Sequence, residues 1–119
     1  MKKLIIFLFI FNFTNLYSSD LKFEKISDNL NKPWSISFID KENVIITEKA
    51  GKLLTLNLKN KSTNKVQHNL SLISLGQGGL LDVLYNDKQI YISYSENRGN
   101  WKTSTSVAKG TFNKKKNRI

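Results

Sequence analysis

The sequence has no cysteine, which excludes a disulfide framework, a thiolate metal site and a cysteine nucleophile. It has one proline, Pro33, and one histidine, His68. Arg98 and Arg118 are its only arginines, so nearly all of the net charge of +10 is carried by lysine. Specific recognition of phosphates and base edges draws on the planar guanidinium fork. The lysines are also spread along the chain, so no nucleic-acid partner is expected. Hydrophobic residues make up 39% of the 119, below the usual share for a globular domain. A chain this short buries a smaller fraction of its surface than a long one, and one small domain is the most its length allows. No segment beyond the N-terminus carries a sustained helical period.

The one long apolar run lies at the start. Met1-Lys2-Lys3 is positive, Leu4 to Phe11 is unbroken and apolar, and Thr14, Asn15 and the Ser18-Ser19 pair follow. This is the layout of a secretory signal peptide over residues 1–19, and the run is too short to span a bilayer comfortably. An uncleaved N-terminal anchor is the rival reading. Residues 20–119 then form the exported domain, with no stable membrane span and the bacterial periplasm as the expected location.

After the leader the pattern has period two. Leu21–Ser27 alternates loosely and reads as an edge strand. Trp34, Ile36 and Phe38 alternate with Ser35 and Ser37, which is a strand, with Trp34 expected in the core. Asp40–Asn43 reads as a hairpin loop, Val44–Glu48 as a strand and Lys49-Ala50-Gly51 as a turn. Lys52–Leu58 follows, with Leu54, Leu56 and Leu58 on one face, and Val66–Leu70 is a shorter strand. Leu80–Tyr85 and Gln89–Ser95 flank the turn Asn86-Asp87-Lys88, and Ser104–Phe112 closes the series. Short strands with regular turn signals point to an all-β sandwich, barrel or propeller. The step from Trp34 to Leu80 is close to the roughly 40–45 residues of a propeller blade. Trp34–Leu70 is then one four-stranded unit, and Leu80–Phe112 is most of a second.

Three of the six glycines fall in Gly76-Gln77-Gly78-Gly79-Leu80-Leu81-Asp82. Glycine permits turns and close backbone approach, and the amide of Gln77 offers both a donor and an acceptor. Two readings stand: a tight turn into a strand, or a loop that holds a hydroxyl-rich ligand. No phosphate-loop pattern is present.

Four motifs in one order decide more than any one of them. They are Asn31-Lys32-Pro33-Trp34-Ser35-Ile36-Ser37-Phe38, Ile45-Ile46-Thr47-Glu48-Lys49-Ala50-Gly51-Lys52-Leu53, Gly76-Gln77-Gly78-Gly79-Leu80-Leu81-Asp82-Val83 and Ile90-Tyr91-Ile92-Ser93-Tyr94-Ser95. Together they resemble the opening of the glucose/sorbosone dehydrogenase family, the soluble pyrroloquinoline-quinone (PQQ) aldose sugar dehydrogenases. The likeness runs from about Leu30 to about Phe112. It implies the first two blades of an incomplete six-bladed β-propeller, and the N-terminal part of an enzyme that oxidises the anomeric carbon of an aldose to a lactone. It implies PQQ and calcium as cofactors, held by residues outside this chain, and a catalytic histidine beyond Ile119. It assigns Gln77 to substrate binding, with Gly76, Gly78 and Gly79 shaping its loop. Where the family usually has arginine, this sequence has Lys109. The electron acceptor stays open. On this reading the chain by itself is inactive. The rival from another class is a small secreted β-domain that binds carbohydrate or a protein partner without catalysis.

The remaining chemistry-bearing residues have structural readings. His68 does not match the position of the family base and reads as a strand or surface histidine. Asp82 reads as a partner for turn or inter-blade amides, and Glu48 as pairing with a basic neighbour or capping a turn. Trp101, in a polar loop beside Gly99, either packs within its loop or stacks on a sugar. Lys114–Lys116 reads as a solvated turn or an exposed end.

Overall fold

A computed structural model describes residues 20–119; the expected signal peptide lies outside them. Among the described residues every regular element is a strand. Strands β1 (Pro33–Phe38), β2 (Asn43–Glu48), β3 (Lys52–Asn57) and β4 (Thr63–Val66) form one antiparallel sheet in chain order. Strands β5 (Leu80–Asn86), β6 (Gln89–Asn97) and β7 (Thr103–Thr111) form the second.

Turn chemistry sets the hairpins. Between β1 and β2 the Asp40 carboxylate accepts the N–H groups of Glu42 and Asn43, both at 2.9 Å, a local bond that substitutes for a backbone turn. Between β2 and β3 the three-residue loop ends on Gly51 at φ +106°, where glycine has no steric penalty. Between β5 and β6 Asp87 and Lys88 both have positive φ, the two-residue geometry that matches strand twist.

The Val44-Ile45-Ile46-Thr47 run of β2 is buried on both sides. Ile45 joins Leu53, Val66, Leu80, Val83, Ile90, Ile92, Tyr94 and Phe112 in the core between the sheets. Val44 and Ile46 face the other way, with Leu56, and are covered by Ile26, Leu30 and Leu58. The 20–32 segment is therefore not an edge strand; its Ile26 and Leu30 lie over the outer face of β2 without a ladder of their own, while Leu21 and Phe23 are exposed.

Two further expectations are corrected. Val66 is the last residue of β4, not the first of a strand; Gln67 pairs instead with Arg118 as an isolated parallel bridge. Trp34 is not in the core. Trp34, Ile36 and Phe38 are 48%, 56% and 65% exposed on the outer face of the first sheet. The reason lies in Ser35 and Ser37, which point toward the second sheet. Strand β5 is an edge, and its outward N–H groups need partners. Val83 N–H donates to Ser35 Oγ at 3.3 Å and Tyr85 N–H to Ser37 Oγ at 2.9 Å. Thr47 Oγ1 donates to the Leu81 carbonyl at 2.5 Å and accepts Ser35 N–H at 3.1 Å. The polar face of β1 is thus the inward one.

Candidate functional site

The β2–β3 turn, the 67–79 segment and the β6–β7 loop gather at one end of the two sheets. Their joint is Gly79. Its neighbour Leu80 donates its N–H to the Lys49 carbonyl at 3.0 Å, and its own carbonyl accepts Ser95 N–H at 2.8 Å. At φ +144°, a Cβ here would lie 2.1 Å from the Lys49 carbonyl oxygen. Only glycine lets the two backbones come this close. Gly78 closes a turn by donating its N–H to the Leu75 carbonyl at 2.7 Å, and a Cβ on it would meet Ser95 Oγ at 2.8 Å. Gly76, at φ +53°, meets nothing, and its carbonyl accepts a bond from the Lys49 ammonium.

These three positions leave Gln77 exposed at the crest of the loop. Its side chain borders a cleft of about 350 Å³ shared with Gly78, Ser95, Trp101, Thr103 and Thr105, with Ile73, Leu75 and Leu81 as the apolar part of the lining. The lining is one amide, three hydroxyls and one indole, the mixture suited to a ligand with both hydroxyls and apolar C–H faces. Of the two readings open for Trp101, packing within its loop does not hold: the side chain is 83% exposed. Sequence reasoning had no means to join Trp101 to Gln77, because the β6 and β7 ladder is what brings them to one cleft. A second cleft, of about 320 Å³, adjoins the loop on its other side and is lined by Asn31, Lys32, Lys49 and Ser74 among others.

The other polar residues are structural. His68 Nε2–H donates to the Gly51 carbonyl at 2.8 Å, and Nδ1 accepts Leu70 N–H at 3.3 Å; both ring nitrogens are engaged in pinning the turn. Asp82 accepts a bond from Ser35 Oγ across the sheets and the N–H of Val83 at 2.9 Å. The buried Glu48 accepts Asn31 N–H at 2.6 Å, with Lys52 Nζ at 4.0 Å, so it fixes the segment that leads into β1. Among the described residues, no group of three or more His, Cys, Asp or Glu side chains lies together as a metal site.

The match to known proteins falls on this same framework. The family model for Glucose / Sorbosone dehydrogenase matches residues 30–119. The chain belongs to the glucose/sorbosone dehydrogenase family. Its two sheets are two blades of the β-propeller that the family's solved members share. One glucose dehydrogenase crystal structure is similar with a TM-score of 0.74 at 27% identity, covering 81% of this chain and 30% of its own. The soluble aldose sugar dehydrogenase of Escherichia coli, in its apo form, is similar with a TM-score of 0.72 at 27% identity, over 81% of this chain and 29% of its own. The PQQ-bound aldose sugar dehydrogenase of Streptomyces coelicolor has a TM-score of 0.69 at 14% identity, over 78% of this chain and 28% of its own, a likeness of fold. No curated protein sequence matches the chain. The chain thus spans about 30% of the length of the solved relatives it matches. No helix among the described residues is long and apolar enough to cross a membrane.

Proposed function

We propose that residues 20–119 are the N-terminal part of a PQQ-dependent aldose sugar dehydrogenase, and that Gln77 binds the sugar. The observation that carries this reading is the Gly76–Gly79 loop. Its glycines fix the backbone between the two blades while Gln77 is left at the crest, beside hydroxyl-bearing Ser95, Thr103 and Thr105. Gln77 accepts a bond from one sugar hydroxyl and donates to the oxygen of another, which orients the ring. The overall reaction removes two electrons and two protons from the anomeric carbon and its hydroxyl, giving the lactone. In the complete enzyme PQQ supplies the two-electron acceptor. A histidine outside these 119 residues takes the hydroxyl proton, a task suited to an imidazole that titrates near neutral pH. On this reading calcium and the residues that clamp the quinone would be supplied by parts of the complete enzyme other than these 119 residues. Residues 1–19 act as the export signal to the periplasm, and N-terminal sequencing of the mature protein should begin near Asp20.

On this reading the 119-residue chain binds sugar and does not turn it over. Glucose titrated into the purified chain should give a saturable calorimetric signal that Gln77→Ala weakens roughly tenfold, the scale of one or two hydrogen bonds. The same chain supplied with PQQ, calcium, glucose and a redox dye should leave the dye oxidised. Dye reduction above the cofactor-only control refutes the inactivity; an unchanged affinity in the Gln77 variant refutes the site.

The second reading is a carbohydrate-binding β-domain without catalysis. One observation favours it: the two sheets share a single core that runs from Ile45 to Phe112, as an independently folding unit needs. A single cooperative unfolding transition in the monomer, together with sugar binding, supports it over the enzyme fragment.

A further inference from the structure

Trp101 is the most exposed aromatic side chain of the sheets and their loops, and it is not held loosely. Gly99, Asn100 and Trp101 have φ values of +75°, +48° and +61°. Positive φ is a true outlier for a bulky residue such as tryptophan. The bend is clamped at its base: Arg98 N–H donates to the Lys102 carbonyl, and Lys102 N–H to the Gly99 carbonyl, both at 2.9 Å. Asn97 Oδ1 accepts Gly99 N–H at 2.9 Å. On its flank the Arg98 guanidinium meets Glu96 at 2.8 Å and Ser104 Oγ at 2.9 Å, and the same Glu96 carboxylate accepts Ser106 Oγ–H at 2.7 Å. A large apolar ring is therefore held out in water by a braced loop, at the side of the cleft that Gln77 borders.

We infer that Trp101 is a specificity-determining residue: a stacking platform for a second sugar ring, joined to the ring that Gln77 orients. The inference rests on the sugar-binding reading of Gln77. A pyranose presents C–H groups on its faces and hydroxyls at its rim. The indole covers such a face, and the backbone that carries it is braced before the ligand arrives, so the loop does not have to be ordered on binding. Thr103 and Thr105, on the strand that leaves the loop, supply hydroxyls along the rim of the same ring. At about 350 Å³ the cleft is at the small end for organic ligands and open on one side, so it accommodates part of a disaccharide with the remainder projecting over the indole. Trp101 thereby favours an aldose that carries a glycosidic substituent over a free monosaccharide, while Gln77 serves both.

The test uses the whole chain with Trp34→Phe, so that Trp101 is the only tryptophan reporter. Trp34 lies half-exposed on the outer face of the other sheet, and the exchange spares the cleft. Glucose and maltose are titrated against tryptophan emission and, in parallel, by calorimetry. Maltose is expected to bind roughly 3- to 10-fold tighter than glucose, the scale of one aromatic stacking contact. Trp101→Ala should erase that preference, read as the ratio of the two affinities, and Trp101→Phe should retain part of it; circular dichroism checks that both variants keep the strand content. A maltose-to-glucose ratio unchanged by Trp101→Ala overturns the platform while glucose binding through Gln77 stands. Absence of saturable binding by either sugar overturns the platform and the sugar-site reading together.

Discussion

Gly76 and Gly79 sit three residues apart in one motif but answer to different constraints. Around Gly76 there is open space, so Gly76→Ala should cost only the left-handed backbone, about 1–2 kcal/mol. At Gly79 the added methyl collides with the Lys49 carbonyl, and the φ of +144° there is itself strained for any residue with a side chain. The two penalties combine to roughly 2–5 kcal/mol, enough to part the sheets. Chemical denaturation of the two variants separates these outcomes, and equal costs would mean that the blade junction is not where the motif acts. The presence of a glycine cluster was legible in the sequence, but which glycine carried the junction was not, because the partner is a carbonyl 30 positions upstream. For the same reason Gln77 acquired a role only through the family resemblance, and Trp101 only through the strand pairing that brings it to the Gln77 cleft. His68 is simpler. With both ring nitrogens bonded, His68→Ala should lower stability by about 1–2 kcal/mol, measured as a shift of the thermal midpoint.

Strand positions were legible because alternation and turn residues are local signals; the sense of a face is not. Period two in β1 divides Trp34, Ile36 and Phe38 from Ser35 and Ser37, but it leaves open which set meets the core. What decides is the adjoining edge strand, whose N–H groups require acceptors. Ser37→Ala should therefore destabilise by about 1–3 kcal/mol by stranding Tyr85 N–H, whereas Phe38→Thr on the exposed face should be near neutral; denaturant midpoints compare the two. The loops also tie elements together electrostatically. Lys114 Nζ meets Asp40 Oδ2 at 2.8 Å, which links the chain after β7 to the β1–β2 hairpin. This lysine, with the Asn43 amide and the Glu42 N–H, holds the Asp40 carboxyl well below the usual carboxylate range. A depressed folded pKa adds stability above the unfolded value of about 4 and loses it as pH falls below that value. The pair is partly exposed, so its worth is about 0.2–1 kcal/mol. Asp40→Asn should flatten the loss of thermal midpoint between pH 5 and pH 2.5 relative to the parent; an unchanged slope would show that the bond contributes nothing.

On the scale of the molecule, the described chain is two blades whose outermost faces differ. The outer face of the first sheet presents Trp34, Ile36 and Phe38 to solvent, an apolar patch of the kind that marks an interface or an aggregation hazard. The purified chain should therefore self-associate with rising concentration, and replacing those three residues by Thr, Thr and Lys should shift sedimentation toward the monomer. A monomer at all concentrations in the parent would mean that the patch is tolerated in water. Between the blades the arrangement is of another kind. Ser35 and Ser37 engage the N–H groups of Val83 and Tyr85, so β1 and β5 run in the same direction and meet at two points one strand repeat apart, roughly 7 Å. The contact works as a vernier. A slide of β5 by one residue turns carbonyls or wrong-sided amides toward both hydroxyls at once, and only a slide of two restores either bond. The offset of one blade along the other is thereby quantised, and a blade transplanted beside β1 will seat in a single position only if it brings two edge amides at that same spacing.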